Sequence, residues 1–344
     1  MKNIKKWLLR SLWLLVGLSG MVLLYYAPLL PYGWRQLKGQ LRILWHTVPL
    51  EEVWKSDTLP PVVRYRLHLI GEIKRFAETQ LGLMPTDNYR TFYDTQGKAV
   101  LWVVTAAPPY ALDYYYWHFP VLGRVSYKGH FERRYAEQDS ARLAAEGYEV
   151  SIGEVAAWST LGILSDPVLS SMTAREEGEL AELIIHELTH ASVYLADSVE
   201  FNENLASFVG QEGAKRFLAQ HYGKHSFVYQ DYVRRLHDRA LYTACLLQQA
   251  QTLDSLYRSE GFRALSNEEK QKTKTLFYAQ LQKALLALPL SPSILERMRA
   301  HPPVFNNVEL CDLLRYYRYQ DTLQQLFREK FHRDIAAMIQ HFKN

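Results

Sequence analysis

Read as a pattern of apolar and polar positions, the chain divides into four stretches. Ser11–Trp34 contains no charged residue and is mostly Leu, Val, Tyr and Trp. Arg35 to about Leu81 shows apolar residues at helical spacing, interrupted by Pro60-Pro61, so it predicts helices with a break there. Phe92-Tyr93, Ala99–Thr105 and Val121–Tyr127 are β-branched and aromatic runs bounded by Gly, Pro and Asp, the signature of strands. Ala136–Glu146 returns to helical spacing and Gly147 ends it, after which Tyr148–Trp158 predicts a further strand. From Gly213 onward the pattern is helical almost throughout. Tyr229–Arg258 has no internal Gly or Pro, Ser266-Asn267-Glu268-Glu269 is a capping-box start, and Asp321–Phe342 supplies the last helices. The expectation is an α+β fold with a small mixed sheet followed by a mostly helical C-terminal lobe. Residues 1–34 form a cytoplasmic tip and membrane anchor, 35–222 the first part of one body, and 223–344 the helical lobe packed on that body.

The first stretch bears on compartment. A run of about twenty apolar residues suffices to cross a bilayer, and Lys2, Lys5, Lys6 and Arg10 precede this one. A cleavable signal peptide shares the basic start and apolar core, but no small-x-small cleavage pattern closes the run, which ends at Tyr25-Tyr26-Ala27-Pro28. An uncleaved anchor is therefore favoured, with bilayer contact through residues 11–34. Arg35, Lys38 and Arg42 follow it, so the positive-inside bias is modest and directs the body out of the cytoplasm, to the periplasm or cell surface.

Charge narrows the partners. The first 34 residues hold four basic side chains and no acidic one, and the rest of the chain carries 36 of each sign. The pI of about 8.8 is thus a property of the N-terminus. No clustered excess of Lys and Arg marks a nucleic-acid surface. Two cysteines, Cys245 and Cys311, make no disulfide framework; they form one bridge or two buried thiols.

The chemistry concentrates in Ile184–His190, I-I-H-E-L-T-H. On a helix, His186 and His190 present their imidazoles one turn apart on one face, and Glu187 stands beside them. This is the H-E-x-x-H pattern of zinc hydrolases, with two histidine ligands and a carboxylate general base. Asp197 and Ser198 interrupt the helix, and Phe201–Ser207 opens a second one. A turn between them would bring Glu203 to the two histidines. Two His and one Glu leave the fourth tetrahedral position of a Zn²⁺ ion open, as catalysis requires; other divalent metals suit the same donors.

At these residues the chain resembles the bacterial Putative aminopeptidase family of the Glu-zincins. H-E-L-T-H-A-S-V-Y followed by F-N-E-N-L-A-S-F-V-G-Q-E-G carries the resemblance. Ala106-Ala107-Pro108, His118–Gly123, Tyr127-Lys128-Gly129, Ser159–Gly162, Asp166-Pro167 and Phe305-Asn306-Asn307 extend it to most of the chain after about residue 35. The resemblance implies a zincin-like fold, peptide substrates and an aminopeptidase-like activity. In zincins generally, the sheet edge beside the metal pairs with the substrate backbone; Val150–Ala157, the last predicted strand before the metal helix, is the expected edge. Thermolysin-like enzymes carry an Asp four residues after the third ligand to orient a histidine. Here that position is Ser207, and Glu182, one turn before His186, is the alternative partner.

Other candidates are less defined. Tyr316 or Tyr317 could donate to the oxyanion. Tyr114–Trp117 could line a cleft, His118 could ligate or donate a proton, and Glu154 or Asp166 could hold a substrate's α-amine. Each also has an ordinary structural role open to it. The activity expected is a membrane-anchored zinc peptidase; the alternative is a non-catalytic zincin-fold protein that binds peptides or envelope partners.

Overall fold

The computed structural model describes Trp13 and residues 26–56, 59–120, 123–155, 165–195 and 198–343. It divides into two compact units, Met1–His46 and Thr47–Asn344. In the first, a short 3₁₀ turn (Ala27–Leu29) leads into α1 (Leu30–His46). Most of the apolar Ser11–Trp34 run lies outside the described residues, and among the described residues no helix is long and apolar enough to cross a membrane.

The second unit begins with β1 (Val48–Pro49) and α2 (Leu50–Trp54). The Pro60-Pro61 break is where the periodicity puts it, and α3 (Pro61–Gln80) starts directly at it. Its apolar face, Leu67, Ile70, Ile73 and Ala77, is wholly buried.

The strands depart from the expected single sheet. β2 (Thr91–Tyr93) pairs antiparallel with β1 and parallel with β8 (Val168–Leu169). β3 (Trp102–Ala107) is the centre of a second, antiparallel sheet, between β6 (Tyr127–His130) and β7 (Glu149–Glu154). β4 (Trp117–Phe119) and β5 (Gly123–Val125) make a separate hairpin. The predicted strand Val121–Tyr127 is therefore split between that hairpin and β6, with Val121 and Leu122 outside the described residues. The last strand before the metal helix is β8, not the expected Val150–Ala157; β7 ends at Glu154, and residues 156–164 lie outside the description. Short strands with one apolar run each do not encode which partner they meet, so sheet membership was not legible. The helix α4 (Arg133–Ala145) closes the β3 sheet on one side, burying Ala136 and Leu143 against Val104, Ala106 and Trp117.

The remaining helices are α5 (Glu177–Ser192), α6 (Val199–His221), α7 (Phe227–Arg258), α8 (Glu260–Ala264), α9 (Asn267–Leu286), α10 (Pro292–Ala300), α11 (Asn307–Tyr317), α12 (Gln320–Glu329) and α13 (Ile335–Lys343). The capping box at Ser266 and Glu269 starts α9 as its sequence predicts, and Asn306 with Glu309 makes another at α11. Cys245 and Cys311 are free thiols, and Cys311 is buried.

One polar node ties the helical lobe to the β3 sheet. Lys274 of α9 is 2% exposed, donates to Pro109 O at 2.7 Å and pairs with Glu149 of β7. The rings of Tyr110, Tyr257 and Tyr278 surround its ammonium at 5.8–5.9 Å. Asn307, fully buried, donates its backbone N–H to the other Glu149 oxygen at 2.8 Å and its amide to Pro108 O at 2.7 Å. The Tyr257 and Tyr278 hydroxyls donate to its Oδ1 at 3.0 and 2.9 Å. The Phe305-Asn306-Asn307 segment is thus a structural clamp between lobe and sheet. Burial lowers the Lys274 pKa and the Glu149 carboxylate opposes that, so the ion pair depends on both partners. Lys274→Met should strand the Glu149 carboxylate and cost about 3 kcal/mol in urea unfolding. Adding Glu149→Gln should recover part of that loss; equal stability of wild type and single variant would show that the node carries no load.

Candidate metal centre

The apolar residues around the H-E-x-x-H segment bury its helix on several sides. Leu180, Ala181, Ile184, Ile185 and Leu188 of α5 are fully buried, and α5 packs against α3, α6 and α7. The helix ends at Ser192, and α6 begins at Val199 after the N-cap Ser198. The interruption thus starts earlier than the predicted Asp197-Ser198; Asp197 itself lies outside the described residues.

Close approach of α6 to α5 requires a residue without a side chain. A Cβ at Gly210 would lie 2.9 Å from the Glu182 carbonyl oxygen and 3.3 Å from His186 Cβ. With Gly210 there, Glu203, seven residues earlier and so two turns up the same face, comes to the histidines. The two asparagines beside Glu203 hold the start of α6 in place. Asn202 binds both backbone groups of Leu195, accepting from its N–H at 2.9 Å and donating to its carbonyl at 2.8 Å. Asn204, fully buried, donates to Glu200 O at 2.8 Å and to Arg315 O. Its Oδ1 accepts from Tyr319 N–H at 2.9 Å, so it also fixes the junction of α11 and α12.

The result is a compact donor set. His186 Nε2 and His190 Nε2 are 3.1 Å apart, His186 Nε2 lies 3.4 Å from Glu203 Oε2, and His190 Nε2 lies 3.5 Å from Glu203 Oε1. Among the described residues this is the one cluster of His, Cys, Asp and Glu able to hold a metal ion. Donors at bond lengths of about 2.0–2.1 Å around a tetrahedral ion are separated by about 3.3 Å along each edge. The two histidine–carboxylate distances run to different oxygens of Glu203, and with one donor atom from each residue the set lies within 4.8 Å, close enough to share one ion.

The electrostatics agree. Burial pushes the Glu203 pKa up, but hydrogen bonds to His186 and His190 and their charges outweigh it and hold the carboxyl far below its usual range. Burial lowers the His186 pKa, but the Glu203 hydrogen bond and the charges of Glu187, Glu203 and Glu182 prevail, and the net shift is upward. The unused nitrogen, His186 Nδ1, lies 3.5 Å from Ser207 Oγ. Ser207 therefore stands where the sequence comparison looked for an orienting Asp. Glu182 does not take that role: it accepts from Tyr232 OH at 2.9 Å and pairs with Arg239, because α7 brings a guanidinium to it.

Glu187 lies beside the donor set and has two tyrosines near it. Tyr316 is raised above its ordinary pKa by burial and by the charges of Glu203, Asp312 and Glu187, with Arg315 opposing. Tyr89 is raised by burial, Glu187 and Asp166. Tyr89 holds a left-handed backbone, φ 62°, unusual for a bulky residue. Its N–H donates to Asp166 O at 2.7 Å, and Asp166 N–H donates to Asn88 Oδ1 at 3.0 Å. The turn is over-determined by these bonds. Asp166 is 2% exposed and bound to Asn88, so it supports the Tyr89 turn and does not offer itself to a substrate amine.

Other candidates fall elsewhere. Tyr317 turns away from the donor set and bonds Arg239; it lines a separate cavity of about 770 Å³ among α6, α7, α11 and α12. His118 is exposed on the β4–β5 hairpin, and Glu154 is exposed at the end of β7. Tyr115 and Trp117 pack into the β3 sheet core, while Tyr114 donates to Asp312 at 2.8 Å beneath the Arg315 guanidinium. Tyr127, at the start of β6, is 42% exposed, yet burial raises its phenol, as do the charges of Glu203 and Tyr194. The Arg315 guanidinium opposes that rise, and Tyr127 thus lies within electrostatic reach of Glu203 and Arg315. The opposite edge, β7, carries the Glu149 clamp.

Sequence reasoning missed Tyr89, Tyr127, Arg315 and the two asparagines. Only the asparagines carried a signal: polar residues at buried positions of a helix, directly beside a ligand.

Metal binding and protonation compete at His186. The raised pKa means the ring stays protonated to higher pH than an ordinary imidazole at 6.5, and a protonated ring has no lone pair for a metal. Zinc affinity, measured by competition with a chromophoric chelator, should rise with pH and level off above that raised value. The metal-free protein should show the opposite contribution. A folded-state pKa above the unfolded one stabilises at low pH, and the gain is lost as pH rises through the folded value. Thermal unfolding across pH 6–9, with and without zinc, checks both signs.

A family model described as Putative aminopeptidase matches residues 31–344. No curated protein and no solved structure matches the chain. With its motif helices, buried asparagines and Asn307 clamp all inside the matched span, the chain belongs to the Putative aminopeptidase family.

Proposed function

We propose that this protein is a zinc-dependent peptidase of the zincin type, aminopeptidase-like in its cleavage, anchored in a membrane by the apolar N-terminal run and acting outside the cytoplasm. The observation that carries the reading is the convergence of His186, His190 and Glu203 within reach of one ion, with the Glu187 charge acting on His186. Family membership supports peptide as the substrate class. When bound, Zn²⁺ supplies a Lewis acid that polarises a carbonyl and lowers the pKa of a water from 15.7 to about 7. His186, His190 and Glu203 would hold it, and Ser207 would fix the orientation of the His186 ring.

The remaining chemistry belongs to the chain. Glu187 is the general base: it takes the proton of the attacking water and passes it to the departing amine nitrogen. Tyr316 donates a hydrogen bond to the carbonyl oxygen as negative charge develops there. Its upward-shifted pKa keeps the phenol protonated at neutral pH, as a donor must be. An extended substrate would lie along β6 beside Tyr127, in the strand-addition mode. A purely structural or binding role for the site has no use for Glu187 at that position, which favours catalysis over the non-catalytic alternative.

The test combines metal content with hydrolysis. Purified protein equilibrated with zinc should carry about one ion per chain, and Glu203→Ala should lose most of it. Glu187→Ala should keep its zinc and lose hydrolysis of aminoacyl and peptide substrates by about 10²–10⁴-fold. Tyr316→Phe should lower kcat with little change in KM, and Tyr317→Phe should leave both unchanged. Absence of zinc in the wild type after equilibration would overturn the peptidase reading.

A further inference from the structure

Helix α1 exposes its apolar face. Leu30, Trp34, Leu37, Leu41 and Trp45 follow at helical spacing and share one narrow stripe. Leu30 is 59% exposed, Trp34 66%, Leu37 48% and Trp45 76%, while Leu41 between them is half-buried. The buried residues of the helix, Gly39 and Ile43, lie on the opposite side. Lys38 and Arg42, both exposed, flank the stripe on one side. A run of large apolar side chains left in water along a helix marks an interaction surface.

The chemistry of the stripe selects its partner. Two indoles on an apolar face, with basic residues at its border, suit the boundary between headgroups and acyl chains. The basic flank complements anionic lipid headgroups. Continuity points the same way: the uncharged run Ser11–Trp34 overlaps the first turn of α1. A chain leaving the apolar core of a bilayer passes through the headgroup layer at that place.

We propose that α1 lies along the bilayer surface. Leu30, Trp34, Leu37, Leu41 and Trp45 sink among the headgroups and upper acyl chains, and Lys38 and Arg42 lie against anionic phosphates. The inference rests on the anchored reading above but is separable from it. The anchor concerns residues preceding the helix; the surface contact concerns the helix itself.

The test uses the full chain with Cys245→Ser and Cys311→Ala, carrying either Leu37→Cys on the stripe or Gln36→Cys away from it. Each is labelled with an environment-sensitive fluorophore and reconstituted in phosphatidylethanolamine–phosphatidylglycerol vesicles. Nitroxides placed shallowly in the lipid should quench the label at 37 about threefold more strongly than the label at 36, and aqueous iodide should reverse that order. Replacing phosphatidylglycerol by phosphatidylcholine should weaken the lipid contact at 37; unchanged contact would overturn the role given to Lys38 and Arg42. If the chain floats with vesicles but iodide reaches both labels equally, the anchor stands and the surface inference falls. If the chain does not float with vesicles, both fall. Energy transfer between chains labelled at 37, without lipid quenching, would mean that a second copy covers the stripe and would also overturn the proposal.

Discussion

The packing of α6 on α5 is the constraint on which the candidate site depends. Each histidine of the H-E-x-x-H helix would hold its place by helical geometry alone. Glu203 would not: it belongs to another helix, and it reaches the histidines only because Gly210 allows the Glu182 carbonyl and the His186 side chain to come within contact. Every further element serves that contact or borrows from it. Asn202 sets where α6 begins by holding both backbone groups of Leu195. Asn204 carries the constraint outward to α11 and α12 through Arg315 O and Tyr319 N. The same two turns of helix thus hold Glu203 and tie it to the segment that carries Tyr316.

This arrangement explains why so many buried polar groups gather in a region otherwise made of Leu, Ile and Ala. Buried amides need partners, and here each amide binds at least one backbone group at an element boundary. Asn88 does so for the Tyr89 turn, Asn202 for the α5–α6 turn, Asn204 for the α11–α12 junction and Asn307 for the lobe–sheet junction. Loss of any one would leave a buried donor or acceptor unmade and free a boundary to move. The four amides define the geometry of the site more than the apolar core does, because apolar packing tolerates small slides that hydrogen bonds do not.

Charge follows the same logic. The donor set draws its acidity from proximity, with His186 raised and Glu203 depressed by one another. Behind it, Glu182 is matched to Arg239 and Tyr232. That pairing commits a third carboxylate to other partners, while its charge still raises His186. Ser207 is left as the hydroxyl beside His186 Nδ1, a weaker orienting group than a carboxylate.

By itself the sequence determined what local rules govern. The H-E-x-x-H face, the Glu203 carboxylate at the start of the next helix, the Pro60-Pro61 break, the capping box at Ser266 and the uncharged N-terminal run are all patterns within a few residues of one another. Helical period, cap chemistry and ligand type are local, so they could be read in order along the chain. The tertiary structure alone decided what depends on distant partners. It split one predicted strand between a hairpin and a sheet. It separated Tyr316 from Tyr317, and it committed Glu182 to Arg239 and Asp166 to Asn88. Apart from the hairpin, each of those outcomes turns on which residue, twenty or more positions away, arrives opposite a given side chain, and no short-range periodicity carries that information.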